Sequence, residues 1–97
     1  MRKEFHSVEE HVYKNASNDD NSIEFNTNEI REIEIILSPI EVHYLDKIIT
    51  INNRNKNIKV CKTKDDWFFA ETPYEYYKCD QIYGLIELFK EIFNMPN

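Results

Sequence analysis

Ile58-Lys59-Val60-Cys61-Lys62, Trp67-Phe68-Phe69-Ala70-Glu71 and Tyr74-Glu75-Tyr76-Tyr77-Lys78-Cys79 are the runs that decide the fold. Each is short and rich in β-branched or aromatic residues, which suit a pleated surface. Ile58 and Val60 alternate with Lys59 and Cys61, and successive strand side chains face opposite ways. Thr63-Lys64-Asp65-Asp66 is a polar turn between the first two runs. Thr72-Pro73 breaks the second run from the third, because Pro73 cannot donate to a strand ladder. Three consecutive antiparallel strands are therefore expected.

On the C-terminal side, Asp80 is placed to cap a helix from Gln81 to about Phe93. Ile82, Leu85, Ile86, Phe89, Ile92 and Phe93 recur at three- and four-residue spacing, the mark of an amphipathic helix. Gly84 lies in its first turns and costs about 1 kcal/mol against Ala. Its expected use is close approach of the helix to a strand or an aromatic ring.

On the N-terminal side, Ser38-Pro39-Ile40-Glu41 has the pattern of a helix start, with Ser38 as cap, Pro39 at the first position and Glu41 closing a capping box. Val42, Leu45, Ile48 and Ile49 then share one helical face, and Asn52 to Asn57 end it. Ahead of it, Ile33, Ile35 and Leu37 alternate with Glu32, Glu34 and Ile36, which reads as a half-buried strand. Ile23-Glu24-Phe25 is a possible short extra strand. The order is β-α-β-β-β-α. It predicts an α+β two-layer sandwich: an antiparallel-rich sheet of about four strands with two helices on one face.

Residues 1–22 read differently from the single domain at 23–97. Lys14 to Ser22 holds one Ala and no larger apolar residue, and reads as a solvated linker. Ser7-Val8-Glu9-Glu10 has capping-box spacing, so a short helix near Val8–Tyr13 is possible. Phe5, Val8, Val12 and Tyr13 would dock it. The segment is expected to be flexible or loosely docked.

Composition bounds the function. Acidic side chains outnumber basic ones by 18 to 12, giving a net charge of −6. Apolar residues make up 41%, which excludes a fully disordered chain. No apolar run is long enough to span a membrane. Met1-Arg2-Lys3-Glu4 leads into polar residues, so no secretory signal is expected. Two cysteines in such a chain suggest free thiols in a reducing, cytoplasmic setting.

Chemistry finds little support. Cys61 and Cys79 form no short-spaced pair, and His6 and His11 do not share a helical face, so no metal site is expected. The single glycine argues against a phosphate-cradling loop, and no cofactor is expected. No nucleophile elbow or cysteine signature is present, so the chain reads as a non-enzyme.

Most of the aromatic residues lie between Trp67 and Phe93. Helices covering one sheet face would leave some of them exposed on the other, and exposed aromatic clusters mark contact surfaces. The expected function is protein–protein association or a structural role. Trp67, Phe68, Tyr74, Tyr76 and Tyr77 are the partner-binding candidates, with about half of them belonging to the core. A homodimer is the simplest version. The alternative is nucleic-acid association through the same aromatics and a Lys59, Lys62 and Lys64 strip. The acidic net charge argues against it, because phosphate binding relies on concentrated Lys and Arg.

Trp67-Phe68-Phe69, followed by Tyr76-Tyr77-Lys78-Cys79-Asp80-Gln81 and Gly84-Leu85, resembles a small module in uncharacterised proteins of large DNA viruses. The abundance of Ile, Asn and Lys, as an AT-rich genome produces, is compatible with that resemblance. It implies a viral origin and carries no activity or catalytic residue with it.

Overall fold

The structure, a computed structural model, describes residues 4–95. Its elements in chain order are β1 (Phe5–Val8), α1 (Glu10–Ala16), β2 (Ser22–Ile23), α2 (Thr27–Leu37), β3 (Val42–Leu45), β4 (Ile48–Asn53), β5 (Lys56–Thr63), β6 (Trp67–Glu71), β7 (Tyr76–Asp80) and α3 (Gln81–Ile92). Among the described residues the strands form one antiparallel sheet of seven, ordered β1-β7-β6-β5-β4-β3, with β2 paired to the end of β5. The α+β class holds. The sheet has more strands than the four or so expected.

The central meander matches its sequence pattern. Val60 pairs with Ala70 and Ala70 with Tyr77, so the apolar residues of one face line up across β5, β6 and β7. Ile49 and Ile51 continue that row on β4. Ile33 and Leu37 of α2 and Leu85, Leu88 and Phe89 of α3 close the main core over this face. Two helices on one face is therefore correct, but one of them is not where the pattern put it.

Residues 32–37, expected as a strand, belong to α2. Asn26 begins this helix with a capping box: its side chain accepts from the Glu29 N–H at 2.8 Å, and Glu29 Oε1 accepts from the Asn26 N–H at 2.9 Å. The spacing that matters is Ile30, Ile33 and Leu37, which all reach the core. Ile35 would share a face with Ile33 in a strand, yet it is 68% exposed. The alternation was a coincidence of an isoleucine-rich helix.

The expected helix from Ser38 is a turn and a hairpin instead. Ser38 ends α2, donating its N–H to the Glu34 carbonyl at 2.9 Å. The Ser38–Pro39 peptide bond is cis. Val42 pairs with Ile51 and Leu45 with Ile48, around a two-residue turn in which Asp46 and Lys47 both have positive φ. That geometry fits the twist of two paired strands.

The N-terminal segment also contributes to the fold. β1 pairs with β7, from Phe5 with Cys79 to Val8 with Tyr76. Ser7 lies in this strand and caps nothing; α1 begins at Glu10, after Glu9. Part of the expected linker, Lys14 to Ala16, is helical, and Ala16 and Ser22 are buried. The α3 start departs from expectation too. Asp80 occupies the cap position without a side-chain cap bond, and its N–H donates to the Glu4 carbonyl at 2.8 Å. Gly84 does permit a close approach, but to the Glu4 backbone just ahead of β1 rather than to a strand or a ring. A Cβ there would come to 3.0 Å from the Glu4 carbonyl carbon and closer still to its oxygen.

Candidate binding cleft on the second sheet face

Strand alternation sends Trp67, Phe69, Cys61, Tyr76 and Lys78 to the face opposite α2 and α3. Among the described residues only α1 packs over this face. Its Tyr13 and Ala16 pack on Cys61 and Phe69, and the Tyr13 and Tyr76 rings lie 5.3 Å apart between centroids. A helix of seven residues cannot roof a sheet of this width. Between the C-terminal half of α1 and the β5–β6 turn lies an open cleft of about 410 Å³. Val12, Ala16, Trp67 and Phe69 supply apolar surface to it, and Asn15, Asn21, Lys64, Asp65 and Lys78 supply polar groups.

Lys78 is the electrostatic centre of this cleft. Its Nζ sits 3.9 Å from the Trp67 ring centroid and 5.9 Å from that of Phe69. A cation over an aromatic face is held by the ring quadrupole. Among the described residues Lys78 has no carboxylate partner. Most other lysines are committed: Lys14 to Glu10, Lys47 to Asp19, Lys62 to Glu29, and Lys56 to the Ile92 carbonyl at the end of α3.

The expected contact residues divide. Trp67 and Tyr76 are half-buried on the second face, and Tyr74 stands 73% exposed on the β6–β7 turn. Phe68 is 1% exposed and belongs to the main core, where its ring tilts against Phe25. Tyr77 faces the helix side, edge-on to Phe5. Phe68 is therefore withdrawn as a contact residue, because its strand parity points it under the helices. The same parity splits the lysine strip. Lys62 lies on the helix side, buried against Glu29 at 2.9 and 3.0 Å, while Lys59 is on the opposite face beside its cross-strand neighbour Glu71. The three lysines do not form one patch.

Lys78 and the Asn15/Asn21 pair escaped the sequence reading. The signal for Lys78 was its place two residues after Tyr76 in a strand following Trp67. Asn15 and Asn21 gave no signal, because only the turn after α1 brings the Asn21 amide to the Asn15 carbonyl at 2.7 Å.

Cys61 and Cys79 are both buried, on opposite faces of the sheet. Burial pushes each thiol up to about 12, so neither is a thiolate near neutral pH. Among the described residues no three His, Cys, Asp or Glu side chains converge to hold a metal ion. No described helix is long and apolar enough to cross a membrane. Compared with known proteins, the chain matches no family model, no curated protein and no solved structure at a significant level.

Proposed function

We propose that this chain is a non-enzymatic protein-association module working through its second sheet face, around Trp67. The observation that carries this reading is the Trp67 cleft, an aromatic surface with a polar rim on a face that α1 leaves partly open. Tryptophan and tyrosine are typical interface anchors, because they bury large areas at small entropic cost. Trp67 and Tyr76 are the contact residues of this proposal, and Tyr74 extends it at the strand end. A second copy of the chain is the simplest partner.

Light scattering over a concentration series tests self-association, with Trp67→Ala as control. A dimer that dissociates in the variant supports the reading. If both proteins are monomers, co-purification from the native cell follows. A protein retained by the wild type and lost with Trp67→Ala supports it, and identical yields from the two sink it.

A further inference from the structure

We propose that the Trp67 cleft takes an acidic peptide segment, with a carboxylate on Lys78 and a neighbouring apolar side chain on Trp67 and Val12. This rests on reading the second face as an association surface, and adds the chemistry of the partner.

The argument starts from Lys78. Lys78 is half-buried, its ammonium lies over the Trp67 ring with the Phe69 ring beyond, and it has no ion-pair partner among the described residues. Cation–π attraction holds it there. A carboxylate would add a charge-assisted hydrogen bond, about twice as strong as a neutral one. Lys64 stands exposed on the same rim and adds a second cation without an ion-pair partner among the described residues. Two free ammonium groups beside an apolar floor thus occur in a chain whose net charge is −6. With Asp65 on the same lining the charges of the cleft sum to +1, opposite in sign to the chain as a whole.

The rest of the rim orients the ligand. Asp65 is the acidic lining residue and disfavours a ligand carboxylate beside it. Asn15 and Asn21, tied to each other, present amides that suit a peptide backbone. The cleft is too small and has too few cations for a nucleic-acid backbone, which needs a row of them.

Trp67 is the single tryptophan of the chain, so its emission reports on the cleft directly. The probes are acetyl-Phe-Glu-Phe-Asp-amide and its neutral counterpart acetyl-Phe-Gln-Phe-Asn-amide. The expected result is a saturable shift with the acidic peptide at a Kd below about 1 mM, and none with the neutral one. Lys78→Met should weaken binding about tenfold, the range of a partly buried charge pair. Lys64→Ser, on an exposed turn, should weaken it about threefold, as a solvated pair does, and gives the same reading should Lys78→Met fail to fold. Equal binding of both peptides, no saturation by about 1 mM, or unchanged binding in the folded lysine variants would overturn the proposal. Association that needs Trp67 without any response to the acidic peptide overturns the ligand class alone. Association indifferent to Trp67→Ala overturns the surface itself.

Discussion

At the scale of single residues, Lys62 and Gly84 do most to fix the geometry. Lys62 reaches from β5 to the first turn of α2, where Glu29 holds both its ammonium and the Asn26 N–H. One carboxylate thus caps a helix and ties it to the sheet. The pair is little exposed, 9% and 17% for its two side chains, so removing one partner strands the other. Lys62→Ala is expected to cost about 3 kcal/mol. Lys62→Met with Glu29→Gln should cost less than the two single changes summed, because neither leaves a bare charge. Urea unfolding of the four proteins measures this; strict additivity would mean that the two side chains do not interact. Gly84 reverses an ordinary rule. In an exposed helix Gly→Ala gains about 1 kcal/mol. Here the added methyl would run into the Glu4 carbonyl, backbone that Asp80 also holds. Gly84→Ala is expected to destabilise by about 1–3 kcal/mol, as overpacking does. A rise in melting temperature would show that the N-terminal strand yields freely.

At the scale of elements, what was legible depended on how local the deciding interaction is. The β5–β6–β7 meander and α3 could be read because alternation, turn residues and three-four spacing all agree there. The aromatic cluster was legible too, but not its division between the faces, since Trp67 and Tyr76 were named together with Phe68 and Tyr77 of the opposite parity. Between residues 26 and 53 two local signals competed, and the wrong one looked stronger. Asn26 and Glu29 carry a capping box as good as the one suggested by Ser38 and Glu41. Only packing against the sheet decides between them, since Ile33 and Leu37 must reach the core together. The β3–β4 hairpin was hidden because its turn is Asp46-Lys47, where the favoured second residue is glycine. Lys47 holds φ 69 at a cost of roughly 1 kcal/mol. Its ion pair with the exposed Asp19 gives back less, as surface pairs are worth about 0–1 kcal/mol. Lys47→Gly is therefore expected to raise stability by about 0.5 kcal/mol. Thermal unfolding checks the sign, and a loss would mean that the Asp19 pair outweighs the backbone strain.

At the scale of the whole molecule, the N-terminal segment acts as a strap. β1 completes one edge of the sheet, α1 crosses the second face, and β2 returns to pair with β5. The low apolar content of residues 14–22 concealed this, because the docking is carried by Phe5, Tyr13 and Ala16 together with the strand pairing of β1 and β2. Burying two aromatics and a small residue contributes roughly 5 kcal/mol, a large share of the 5–15 kcal/mol that holds a small domain folded. The strap also seals Cys61. The buried thiols keep their protons up to about 12, whereas an unfolded chain releases them near 9. The stability tied to those protons is complete below pH 9 and is lost as pH rises toward 12. A chain lacking residues 1–17 should therefore lose most of its fixed tertiary packing, seen as loss of the near-ultraviolet circular dichroism of Trp67 and its neighbours. With α1 gone, Cys61 should react with a thiol reagent at pH 8, where the full chain stays unlabelled. Retained near-ultraviolet signal together with a reactive Cys61 would overturn the first expectation and show that the strap is dispensable to the packing beneath it. The second face would then be wider than the cleft beside it, and Phe69 and Cys61 would join Trp67 as contact surface.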